Sequence, residues 1–194
     1  MTDRSLRSVA PLPGRVLSSG RMVSLVTARG TGFLLDGEAA LTRWDAHSPA
    51  VRSGTSWWLR DRVSGATLEI GPHVLRDAGD PIAATPSPGA LTLSRSGAGL
   101  SLETTVWVDP ASRVEWRRLR VTNTTARERT IDLTGCAEVV LQSAEADAAH
   151  PVFSKLFVQT AWSAEHSALF AHRRARDAGA SSASTSTAHQ SATR

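Results

Sequence analysis

The stretch that decides the fold is LSLETTVWVD, residues 100–109. Leu100, Leu102, Thr104, Val106 and Val108 fall on one side of it. Ser101, Glu103, Thr105, Trp107 and Asp109 fall on the other. A period of two is the pattern of a half-buried strand, because successive side chains point to opposite faces. Working outward, similar runs recur at about ten-residue spacing between Gly, Pro, Asn and Asp. LTLSR (91–95) precedes it across SGAG, a hairpin-like connection. MVSLVT (22–27) leads into the turn ARGTG. EAALTRW (38–44), TSWWLRDR (55–62) and ATLEIG (66–71) follow, and DAGDPIAATPSPG (77–89) interrupts the series as a loop. Downstream, VEWRRLRVTN (114–123) and TIDLTGCAEVVL (130–141) read as a long hairpin around TTARER, with Ile131, Leu133, Ala137, Val139 and Leu141 sharing a face. No amphipathic helical period of 11 or more residues is present. The expected fold is all-β, an antiparallel two-layer sandwich, because half-apolar sheets bury their faces against one another.

The 194 residues fit one domain with a tail. The organisation expected is an extended segment over 1–13, the sandwich over 14–172, and a disordered tail over 173–194. That tail has no apolar residue larger than alanine, so it cannot offset the entropy of ordering. It also holds Arg173, Arg174, Arg176 and Arg194 against Asp177, and so most of the net charge of +4. The remaining basic residues are interleaved with acids, which excludes the clustered stripe of a nucleic-acid binder. No segment reaches the roughly 20 apolar residues of a membrane helix, and no signal-peptide core opens the chain. A cytoplasmic location is expected.

Little in the chain points to catalysis. The six histidines form no HxH or HExxH pattern, so no metal site and no cofactor is expected. GTGF and SGAG are β-turns rather than phosphate loops. Asn123-Thr124-Thr125 reads as the polar tip of a hairpin, and Cys136, the one cysteine, as a buried inert thiol. No carboxylate can be singled out as a catalytic residue. The six tryptophans, in a chain without tyrosine, are the remaining feature. Arg43-Trp44-Asp45 combines an aromatic face with an Arg/Asp fork and could touch a glucan; core packing with a surface ion pair is the competing reading. Trp57 and Trp58 are adjacent, so one faces the core and the other, with Trp58 nominated beside the Arg43 group, faces outward.

AEVVLQSAEADAAHPVFSKLFVQTAW (137–162) resembles a passage in the N-terminal β-sandwich of glycoside hydrolase family 94, with HPVFSKLFVQ (150–159) its most specific part. VLSSGRMVSLVTARGTGF (16–33), LTRWD (41–45), SWWLRD (56–61) and the run from Trp107 to Leu141 are similar to its successive strands. Ser19 and Met22 stand where the family pattern has asparagine and tyrosine, and FLLDGEAA lacks the family's serine–arginine–tryptophan step near Phe33. The resemblance covers about residues 14–172 and is closest to the branch acting on β-1,2-glucans. It implies a supersandwich that packs on a separate (α/α)6 barrel, where one acid protonates the glycosidic oxygen while phosphate attacks the anomeric carbon. It also implies a β-glucan or oligosaccharide as partner, that helical barrel as a second partner, and a homodimer in full-length members. Nothing here matches the barrel. The chain is therefore expected to be an incomplete sandwich, inactive alone, and cytoplasmic or the cytoplasmic part of an inner-membrane glucan synthase. A free-standing carbohydrate-binding module is the alternative. The tail fits a natural linker or, as the sharper expectation, a frame-shifted reading frame beyond about Arg174.

Overall fold

The computed structural model describes residues 14–43, 54–71 and 81–174, and the backbone of Thr185–His189. The expected N-terminal segment, 1–13, lies outside them. Among the described residues, fifteen strands form four antiparallel sheets, accompanied by two short helices. The first sheet runs β1 (Gly14–Ser19), β2 (Met22–Thr27), β3 (Gly32–Asp36), β4 (Ala39–Thr42) and β12 (Val139–Ser143). The second is β11 (Ile131–Ala137), β5 (Thr55–Asp61) and β6 (Thr67–Ile70). The third is β10 (Glu115–Asn123), β9 (Leu100–Val108), β8 (Ala90–Gly97) and β7 (Ala83–Ser87). The fourth joins β13 (Val158–Ser163), β14 (Ala168–Arg173) and β15 (Thr185–His189).

β9 bears out the alternation that led to it. Leu100, Leu102, Thr104, Val106 and Val108 are all buried. They pack with Leu91 and Leu93 of β8 against Leu17, Met22 and Val26 of the first sheet and Leu59, Leu68 and Ile70 of the second. The third sheet is therefore one layer and the first two sheets together form the other, which is the expected sandwich. Ser24 on β2 donates a short hydrogen bond to the carboxylate of Glu115 on β10, a polar tie across the layers. The β8–β9 turn is a two-residue loop, since Gly97 pairs with Leu100. Ala98 and Gly99 both take positive φ, 50° and 75°, as a type I′ hairpin turn requires.

Three expectations are corrected. VEWRRLRVTN and TIDLTGCAEVVL are not a hairpin: β10 pairs with β9, whereas β11 crosses to the other layer and pairs with β5. The TTARER segment is a sheet-to-sheet crossing anchored by Asn123, whose side chain accepts from the Thr125 N–H and donates to the Arg127 carbonyl. The second strand is itself broken at Glu138, and β12 belongs to the first sheet. A bulge between Val139 and Gln142, with Leu141 at φ 58°, turns Val140 and Leu141 inward together. Thus Leu133 and Ala137 are exposed on an edge strand, and Cys136 is exposed rather than buried.

Part of the expected 77–89 loop is instead β7, an edge strand exposed along its whole length. Pro86 sits there, and an edge is where a residue without a donor is tolerated. At the other end of the chain, Arg173 closes β14, and Thr185–His189 pairs with that strand. Sheet pairing therefore extends past the expected boundary at 172. Residues 175–184 and 190–194 of the expected disordered tail lie outside the described residues. The acidic linker and His–Pro corner form α1 (Ala144–Ala149), capped by the Ser143 hydroxyl, and α2 (Pro151–Lys155), with proline at its first position.

Candidate functional site

Arg43, at the end of β4, is built into the scaffold. Its Nε and Nη2 donate to the two carboxylate oxygens of Asp147 at 2.6 Å each, and Nη1 donates to Glu138 at 2.7 Å. Nη2 also reaches the Pro151 carbonyl at 3.1 Å. Only 10% of the Arg43 side chain and 7% of the Asp147 side chain are exposed. Burial pushes the Asp147 carboxyl up, but hydrogen bonds from Arg43 and Ser154 outweigh it and hold it below its ordinary value. Arg43 is pushed up in turn, chiefly by its bond to Asp147. Lys155 reaches Glu138 at 2.5 Å, and Arg173 donates to the carbonyls of Val140 and Ser154. This network fixes β4, β12, both helices and β14 around the His–Pro corner, and four of the five Arg43 donors are consumed by it.

The other nominated residues are not brought to Arg43 by anything described. Trp44 and Asp45 lie outside the described residues. Trp58, on β5, pairs with Thr134 and Glu69, whereas Trp57 pairs with Gly135 and Ile70. The two indoles take opposite faces, but both are half-buried, so the expected division into one core and one outward-facing ring, Trp58, is not seen. A Cβ on Gly135 would stand 2.7 Å from the Trp57 ring, so the missing side chain is what seats that indole.

Carboxylates elsewhere in the layers are similarly engaged. Asp61 accepts from the N–H groups of Val63 and Ser64 and from Arg129 Nε at 2.5 Å. Those bonds, the Ser64 N–H foremost, hold it down at about 2. Glu115 takes Arg117 Nε at 2.5 Å as well as Ser24. Among the described residues no cluster of His, Cys, Asp and Glu could hold a metal ion.

A feature that the sequence reading passed over lies on the solvent face of the third sheet. Trp107 on β9 pairs in register with Trp116 on β10. Their rings are near-parallel, 14° apart, with centroids separated by 6.1 Å. Trp116 is 48% exposed, and the Asp109 carboxylate just past β9 is fixed by the Ala111 N–H and the Ser112 hydroxyl. The next cross-strand row on this face is Thr85, Thr92, Thr105 and Arg118. The hydroxyls of Thr92 and Thr105 lie 3.1 Å apart. The row after that carries Ser94, Glu103 and Arg120, the last two 3.8 Å apart. The signal was present: Trp107 falls opposite the apolar side of β9, and Trp116, Arg118 and Arg120 alternate outward on β10. What was missing was the register joining the two strands.

The four antiparallel sheets and their shared core define an all-β sandwich module. The chain belongs to the glycosyl hydrolase 94 supersandwich domain family, whose model matches residues 10–193. That match runs through the Ser/Thr/Ala-rich tail, beyond residue 172 where the resemblance in the sequence was expected to end. It is also similar to the cyclic β-(1,2)-glucan synthase NdvB of Rhizobium meliloti (strain 1021), 29% identical over 164 residues. The matched region is 84% of this chain and 6% of that protein. The chain thus corresponds to a small part of that relative's length.

Proposed function

We propose that this chain is a non-catalytic supersandwich module serving a β-glucan phosphorylase or synthase of the β-1,2 branch, with the chemistry carried on a helical barrel outside it. The observation that supports this reading most directly is the state of three of its carboxylates. Inverting cleavage needs a carboxylic acid kept protonated near neutral pH beside the glycosidic oxygen. Asp61, Asp109 and Asp147 are instead all held below their ordinary values, each by hydrogen bonds that keep it ionised and oriented toward the scaffold. A group committed in that way is a poor proton donor. Similarity to a cyclic β-(1,2)-glucan synthase favours β-1,2-linked glucan as the associated carbohydrate. A cytoplasmic setting belongs to the same proposal. No helix among the described residues is long and apolar enough to cross a membrane.

The test is phosphorolysis. Purified protein incubated with β-1,2-gluco-oligosaccharides and inorganic phosphate is expected to release no glucose 1-phosphate above a heat-killed control. Turnover above that control would overturn the reading.

A further inference from the structure

We propose that the solvent face of β7–β10, centred on Trp107 and Trp116, is a binding surface for a neutral β-linked glucan chain. The choice of glucan among neutral saccharides rests on the reading above; the location rests on the geometry. Two near-parallel, stacked indoles, 6.1 Å apart by centroid, lie in register on adjacent strands, with Trp116 the more exposed of the two. The apolar C–H face of a pyranose covers an aromatic face of this size, and Trp offers the largest such face. Same-face rows on a strand repeat at roughly 7 Å, two residues along. The Thr85/Thr92/Thr105/Arg118 row therefore lies about one sugar unit from the indole pair. It presents hydroxyls that can both donate and accept, and a guanidinium that donates.

The charge on this face selects the occupant. Glu103 and Arg120 offset one another, which leaves Arg118 and Asp109 at the two sides of the strip. That balance suits a neutral polyhydroxylated chain better than a polyanion. A protein interface centred on the indoles would place the threonine, serine and Glu103–Arg120 rows under it, where each polar group would need its own partner. Among the described residues, the nominated Arg43 side offers no such pair, and the guanidinium is engaged by Asp147 and Glu138.

The experiment is a titration of the full chain with β-1,2-, β-1,3- and β-1,4-linked gluco-oligosaccharides in the absence of phosphate, read by indole emission and calorimetry. Saturable binding is expected, with Trp107→Ala and Trp116→Ala each weakening it about three- to tenfold or more, as loss of one stacked ring implies. Arg118→Ala, at an exposed position outside the core, is expected to weaken it about two- to fivefold through loss of hydrogen bonds. Trp58→Ala should leave it unchanged. Bound glucan should also shield the wild-type indoles from acrylamide, a readout that needs no variant. The proposal is overturned if no oligosaccharide binds at millimolar concentration, or if binding survives both tryptophan substitutions. It is also overturned if binding is lost in Trp58→Ala alone, or if Trp116→Ala abolishes self-association instead. None of these results bears on phosphorolysis, so the failure of this site and the failure of the non-catalytic reading are separable.

Discussion

Arg43 grips Asp147 through two parallel hydrogen bonds of 2.6 Å, across 104 residues of sequence. The pair joins the end of the first sheet's β4 to α1 and, through Glu138 and Ser154, to the segment most specific to the family. Because both side chains are nearly buried, removing one leaves the other charged and without its partner. Arg43→Ala is expected to destabilise the fold by about 3 kcal/mol, and Arg43→Lys by less but clearly, since an ammonium cannot reproduce the two-pronged contact. Urea unfolding followed by tryptophan emission measures both. Wild-type stability in Arg43→Ala would show that the clamp is dispensable.

Asp61 makes the fold acid-sensitive in a definite window. Its folded value of about 2 lies below the ordinary 3.8, so the ionised form is favoured by folding. Its contribution is therefore complete well above pH 3.8, declines as pH falls below that value, and is gone below about 2. Thermal melts between pH 6 and pH 2 should show this decline. Asp61→Asn should be less stable at neutral pH and should have a flatter profile below pH 4. Parallel profiles for the two proteins would contradict the assignment.

Thr104 is buried in the apolar face of β9, and its hydroxyl has no hydrogen-bond partner among the described residues. Thr104→Val replaces that hydroxyl with a methyl group of the same shape. It is expected to stabilise by about 1 kcal/mol, the desolvation cost relieved, and to raise Tm measurably. A fall in Tm would mean that the hydroxyl is satisfied in solution.

Ala98 holds a left-handed conformation, φ 50°, in the two-residue β8–β9 turn. Asparagine tolerates that region far better than alanine does. Ala98→Asn is therefore expected to add up to about 1 kcal/mol, read from chemical denaturation. A neutral or unfavourable outcome would argue against the type I′ geometry.

The sheets were legible where one strand sufficed to reveal them. The alternation of Leu100 through Val108 located a strand and its buried face from sequence alone, and MVSLVT is β2 residue for residue. What could not be read was partner choice. Nothing local in VEWRRLRVTN or TIDLTGCAEVVL states that the first pairs backward with β9 while the second crosses to β5. That crossing is why Cys136 is exposed, although it lies in an apolar run. The candidate site failed to appear for the same reason: Trp107 and Trp116 are nine residues apart in sequence and become a pair only through register. The Arg43–Trp44–Asp45 triplet drew notice because it is contiguous, yet Arg43's donors turn toward carboxylates about 95 and 104 residues away.

This module, as proposed above, engages glucan without transforming it. Saturation-transfer proton NMR on a β-1,2-gluco-oligosaccharide, with the protein and inorganic phosphate present, tests both halves in one sample. The expected result is saturation transfer to the sugar protons, with no anomeric signal of α-glucose 1-phosphate growing over hours. Growth of that signal, or the absence of any transfer to the sugar, would contradict it.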